Sequence, residues 1–249
     1  MINNSVIENL TSKSKSAGKD KATLNITPLR QAVLTVPIVG ATPLKILRFS
    51  QKKQDQIAES QKAGSQAKSK KKFNPKDFNQ DYEDAKYICN TAGEDWLGLN
   101  ATGIRNACIE TCRVAGFVMT KAKMSIFCIA DGYDILDNTP LVRIYGTPEP
   151  TIDPVRNASG VIDLRARVMF KEWRMYPRIR FDEDQFSYSD IINLMIRVGQ
   201  QNGLGEGRPN SSNGNGTGNG IFTLDMEDKR FNLDRLDSNP LPAHLFDRS

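Results

Sequence analysis

Between Val161 and Phe181 the sequence VIDLRARVMFKEWRMYPRIRF alternates apolar and polar residues twice over. Alternation places successive side chains on opposite faces of an extended chain, so such a run folds as half-buried strands rather than as helix. It predicts two strands joined through Lys171 and Glu172 as a hairpin. Ile162, Leu164, Ala166, Val168 and Phe170 form the apolar face of the first strand, and Trp173, Met175, Ile179 and Phe181 that of the second. The opposite face then carries Arg165, Arg167, Arg174, Tyr176, Arg178 and Arg180. Like charges on neighbouring strands repel unless something anionic lies between them. The face therefore reads either as a phosphate-binding surface or as a set of ion pairs, with acidic residues of this chain or of a neighbouring subunit.

The remaining elements follow from spacing. QAVLTVPIVG at 31–40 predicts a first strand whose buried face is even-numbered. In NATGIRNACIETCRVAG, Ile104, Ala107, Cys108, Thr111, Cys112 and Ala115 recur at helical spacing, with Asn100 or Thr102 as cap and Gly116 as stop. KMSIFCIA and PLVRIYG predict strands on either side of the turn DGYDILDN. SDIINLMIRVG predicts a second helix capped by Ser187 or Ser189, and IFTL a last strand. Reduced to its frame, the order is strand, helix, strand, then strand, helix, strand, the split βαβ arrangement. The expected class is α+β: a ferredoxin-like (RRM-like) antiparallel sheet with two helices on one face and the other face open.

At 249 residues the chain can bury one sizeable core. The expected organisation is a flexible N-terminal arm (1–25), one domain (26–224) and a C-terminal arm (225–249). Within the domain an insertion at 45–95 follows the first strand. Its part 45–76 holds ten Lys/Arg against Asp55 and Glu59. Lys45, Arg48, Lys52, Lys53, Lys68, Lys70, Lys71 and Lys72, with Phe49, Phe73, Phe78, Tyr82 and Tyr87 near them, form the pattern used on single strands. Cations neutralise phosphates while rings stack on bases, at about 1–3 kcal/mol per base. A solvated charge run is the plainer reading.

Several chemistries are disfavoured. The one histidine, His244, lies in the C-terminal arm, which leaves little for His-based acid/base or nucleophilic schemes. Cys89, Cys108, Cys112 and Cys128 include no C-x-x-C pair and read as reduced, buried thiols. No secretory leader or membrane-spanning run is visible, so a cytoplasmic protein without cofactor, metal or membrane partner is expected. The glycine-rich loop 203–220 has Arg208 and Pro209 where a P-loop needs Lys and Ser/Thr, and it follows a helix where a dinucleotide fingerprint must precede one. It is a connector or a cradle.

The helix opening LNATGIRNACIETC resembles the I-P-G/A-S-S-L-K-G-A-L-R segment of the RAMP superfamily, the backbone and RNA-processing subunits of CRISPR effector complexes. GLGEGRP…GNGIFTL resembles its C-terminal glycine-rich loop and final strand, and the chain is also similar to phage-encoded proteins of its size. The resemblance spans roughly residues 30–224 and implies a ferredoxin-like fold. It implies that Arg105 stands at the helix-start basic position, and that Gly203, Gly205 and Gly207, with Arg208 beside them, lie against RNA backbone. Ile109 replaces the family's second basic residue there, and the histidines of its RNA-cleaving members have no counterpart. The implied function is non-catalytic, sequence-tolerant binding of single-stranded nucleic acid, RNA ahead of DNA, by a subunit that assembles into a helical homo-oligomer through 225–249. If phage-encoded, it would act in the host cytoplasm. Three alternatives stand beside it: a phage structural polymer without nucleic acid, a metal-dependent ribonuclease using Asp55, Asp77 or Asp81, and an anti-defence decoy of a CRISPR subunit.

Overall fold

A computed structural model describes residues 28–48, 77–156, 162–211 and 216–231. The chain opens with β1 (Gln31–Thr35), β2 (Ile38–Gly40) and β3 (Leu44–Ile46), then α1 (Phe78–Asp84), β4 (Ile88–Thr91) and β5 (Glu94–Asn100). Next come α2 (Ala101–Val114), α3 (Met119–Ser125), β6 (Ile126–Ile129), β7 (Gly132–Tyr133) and β8 (Pro140–Tyr145). β9 (Pro148–Arg156), β10 (Ile162–Phe170), β11 (Arg174–Met175) and β12 (Arg178–Asp182) precede α4 (Tyr188–Arg197), and β13 (Phe222–Leu224) closes the series. The class is α+β with antiparallel sheets. It holds four α-helices among the described residues, two more than the sequence suggests.

The expected local signals hold where they are local. Ala32, Leu34, Val36 and Ile38 are buried, giving the even-numbered face of the first strand. The Asn100 side chain accepts from Thr102 N at 2.8 Å to start α2, and Gly116, at φ 79°, follows its end. Ser187 and Asp190 form a reciprocal capping box at α4.

Pairing between strands is less local. The strand orders are β13-β2-β11-β8-β5-β4, with β7 beside β8, then β1-β12-β6, and β3-β10-β9. β1 and β2 are separated by Val36 and Pro37, and β11 and β12 by Tyr176 and Pro177. Val36 N donates to Pro177 O at 2.9 Å across this gap, so the first two sheets are one surface interrupted where two prolines cannot donate to the ladder.

The expected hairpin of 161–181 is corrected. β10 pairs with β9 from Phe170–Pro148 to Ile162–Arg156 and with β3 on its other side, while β11 pairs with β2 and β8. Arg165 and Arg167 therefore stand on a different sheet from Arg174, Arg178 and Arg180. Alternation states which face a side chain takes but not which strand lies next to it. β9 has Pro148, Pro150 and Pro154 at positions of one parity, each facing a β10 residue as a pair that exchanges no amide hydrogen from the proline. A strand with that pattern is tolerated at an edge, which is where β9 sits among the described residues.

The helices cover one side of the long sheet. Ile104, Cys108, Ile191 and Met195 meet Leu34, Ile38, Met175, Ile179, Phe181 and Phe222 in a single apolar cluster. Phe181 and Phe222 are fully buried, and truncation of either to alanine costs about 3–5 kcal/mol. Among the described residues the other side of the sheet carries no helix, only a small cluster of Cys89, Trp96 and Leu141 flanked by Tyr87, and the turn after β13.

The first seven residues of the C-terminal arm pack on their own fold, with Phe231 only 6% exposed in the main core. The N-terminal arm, residues 49–76 of the basic insertion and residues 232–249 lie outside the described residues.

Candidate nucleic-acid interface on the open sheet face

β8 presents Leu141, Arg143 and Tyr145 to the open side while Val142 and Ile144 enter the core. Tyr145 stands opposite Arg174 on β11, and Tyr176 and Arg178 continue the same face toward β12. Trp96 comes from β5, and Arg230 from the turn after β13. The Tyr145 and Tyr176 rings meet edge-on, with centroids 5.2 Å apart. The Arg143 guanidinium lies 5.1 Å from the Tyr145 centroid and 5.9 Å from Trp96, and that of Arg230 lies 3.8 Å from Tyr176. Arg143, Arg178, Arg230 and the three rings line an open cleft of about 570 Å³, and Trp96, Arg143 and Tyr145 also line a second of about 360 Å³ together with Phe170.

The electrostatics are mixed. Arg143 pairs with Glu94, Arg178 with Asp131 at 3.2 Å, and Arg230 with Asp228 at 3.6 Å. The arginine side chains are 30%, 41% and 54% exposed, in the same order. Ion pairs this open are worth about 0.2–1 kcal/mol, so a phosphate can take the place of the carboxylate at little cost. Arg178 also donates to Ala130 O at 2.7 Å, which fixes its position.

The other residues singled out by sequence do not line this cleft. Arg174 is on the same open face and pairs with Asp225 at 3.3 Å. Arg180 and Arg105 place their guanidiniums 4.7 and 4.8 Å from the Phe127 centroid. Arg105 also donates to Ile126 O at 2.8 Å and to Lys123 O, clamping α2 to the start of β6. Arg48 is not at the surface. It is 3% exposed and paired with Asp134 and Asp137, at the point where the chain enters the basic insertion.

Lys45 and Arg167 share Asp153, at 2.8 and 2.9 Å, and Arg167 reaches Glu206 at 3.3 Å. Burial alone would raise the Asp153 carboxyl, but the hydrogen bonds from Lys45 and Arg167 outweigh it and hold the group below the usual range. Arg165 stands 3.4 Å from Asp163. On this sheet the ion-pair alternative is what the side chains do.

The glycine loop is built against its own chain. Gly205 has φ 73°, and a Cβ there would run into Lys45 O, while Glu206 N donates to that carbonyl at 2.8 Å. Gly220, at φ 71°, has the same relation to Leu204 O. Gly203 N donates to Val198 O at 2.7 Å, and Gly207 O accepts from Thr217 N and Asn219 N. Arg208 donates to Gly205 O at 3.2 Å. Gly205 and Gly220 serve close approach of backbone to backbone, whereas a Cβ at Gly203 would meet the side chains of Pro209 and Arg208, and one at Gly207 those of Thr217 and Asn219.

Lys52, Lys53, Lys68, Lys70, Lys71, Lys72, Asp55 and His244 lie outside the described residues. Asp77 caps α1 by accepting from Asn79 N and Gln80 N, and Asp81 lies within that helix. The four cysteines are free thiols, and burial pushes Cys112 up to about 11 and Cys128 to about 12. Among the described residues no three His, Cys, Asp or Glu side chains form a metal-holding group, and no helix is long and apolar enough to cross a membrane.

Sequence reading found Tyr176, Arg178 and Arg174 but missed Arg143, Tyr145, Trp96 and Arg230. The alternation Leu141, Arg143, Tyr145 in PLVRIYG carried the signal for two of them. Arg230 had none, because its place depends on how the chain after β13 folds back. No protein-family model matches the chain, and no curated protein matches it.

Proposed function

We propose that the chain binds single-stranded nucleic acid along the open face of its sheet, with little regard to base sequence and without catalysing a reaction. The observation that carries this is the cleft in which Arg143 and Arg178 stand among the rings of Trp96, Tyr145 and Tyr176. Rings offer every base a stacking face, and guanidiniums in loose exposed pairs offer phosphates a partner. Duplex DNA keeps its bases stacked on each other, so single strands are the natural ligand.

The ferredoxin-like reading belongs to this proposal. Strands one and three of a split βαβ frame lie at its centre, with four beside one and two beside three. The order β13, β2, β11, β8 supports that frame, and with it the resemblance to RAMP subunits. The preference for RNA over DNA rests on that resemblance. Assembly of subunits along the strand belongs to the same reading, through the apolar residues Leu236, Leu241, Leu245 and Phe246.

The test is fluorescence anisotropy of nuclease-treated full-length protein with labelled oligouridylate, oligodeoxythymidylate and a duplex, across a salt series. Both single strands should bind ahead of the duplex, with cooperativity as the sign of assembly. Tyr176→Ala should weaken binding by about 1–3 kcal/mol with no change in thermal midpoint. Failure to bind either single strand at low salt overturns the proposal.

A further inference from the structure

After β13 the chain turns back across the open face. Asp225 N donates to Pro37 O at 2.9 Å, and its carboxylate takes Arg174 at 3.3 Å. Asp228 N then donates to Asp225 O at 3.3 Å and Phe231 N to Asp228 O at 2.9 Å, and Phe231 is seated in the core. Between the anchors at Asp225 and Phe231, Arg230 is carried over Tyr176. Stacked aromatic rings place their centroids roughly 4.5–7 Å apart. A guanidinium 3.8 Å from the Tyr176 centroid is closer than that, and leaves no room for a base over the same face of the ring.

We propose that residues 225–231 form a strap that closes the Tyr176 stacking position in the free protein, with Arg230 occupying the place of a base. The inference rests on the nucleic-acid reading above and adds a regulatory step to it. Base and guanidinium compete for one ring face, so binding requires Arg230 to swing away. A phosphate that competes with Asp225 for Arg174 loosens the root of the strap as well. Ligand and strap therefore oppose each other at two points. A site that is open for only a fraction of the time has its apparent affinity reduced by that fraction.

Arg230→Ala and Arg230→Lys, each in the full chain and titrated with labelled oligouridylate, test this. Removing a cation ordinarily weakens binding to a polyanion. The strap predicts the reverse: Arg230→Ala binds about threefold or more tightly, and Arg230→Lys, which keeps the charge but loses the planar guanidinium, also binds more tightly than the parent. Hydrogen exchange at the amides of residues 228–231 should rise when the oligonucleotide is added. Weaker or equal binding by Arg230→Ala overturns the strap and leaves the nucleic-acid reading standing. Added protection of those amides on binding does the same. No binding by the parent or either variant overturns both.

Discussion

On the sheet of β3, β9 and β10, Lys45 and Arg167 are mostly buried and share one carboxylate, whereas on the open face Arg143, Arg178 and Arg230 keep a third to a half of their side chains in solvent, two of them over aromatic rings. Arg167, Arg143 and Arg178 look alike as sequence, since each is an arginine alternating with apolar residues. The difference lies in what each guanidinium touches. Around Asp153 the charges are spent inside the fold, joining β3, β9, β10 and the glycine loop. On the open face the carboxylates stand at the rim and can be exchanged.

The largest effect expected from this contrast is on stability. Asp153→Ala strands Lys45 and leaves Arg167 with Glu206 alone, and should cost about 2–3 kcal/mol, discounted from the range for fully buried pairs because Asp153 keeps some exposure. A urea midpoint shift with unchanged m reads it. Glu94→Ala, which frees Arg143 on the open face, should cost less than about 1 kcal/mol. Equal losses would erase the distinction between the two surfaces.

A second contrast is in salt dependence. Arg143→Ala should reduce the slope of log K against log salt by about 0.7 for one phosphate contact on a single strand. Lys45→Met should leave the slope alone. A fall in slope with Lys45→Met would move the binding surface to the β9–β10 sheet.

The smallest effect is in acid. Burial works to raise Asp153 and Asp137, yet Lys45 and Arg167 on the one, and Thr139 and Arg48 on the other, hold both below the usual range. A carboxyl with a lowered folded-state value contributes stability that is complete above its unfolded value, near 3.9, and is lost as pH falls through the folded one. Stability should therefore stay level down to about pH 4 and decline below it, and Asp153→Ala should decline less. Parallel acid profiles for parent and variant would remove Asp153 from this account.

What could be read in advance follows the range of the interactions. α2, α4 and the buried face of β1 and β2 were legible because caps and periodicity act within a few residues. The pairing of β10 with β9 was not, because Pro148, Pro150 and Pro154 obscure the strand signal and the register is set by residues far apart in sequence. Arg48 reads as one more cation of a basic tract. Its burial depends on Asp134 and Asp137, almost ninety residues away. Tyr176 and Arg178 were legible from alternation, while Trp96 and Arg230 join them only through the fold.

The prolines of β9 bear on how this protein behaves when crowded. An outermost strand with a full row of outward amides is a template on which another chain can add itself, the first step of uncontrolled aggregation. Along the free margin of β9, Pro148, Pro150 and Pro154 remove donors at the positions that would face an incoming strand, leaving Ile152 and Arg156 to supply them. That margin is poorly suited to recruiting a further strand. Copies of the chain at high concentration could meet on this side without their sheets fusing.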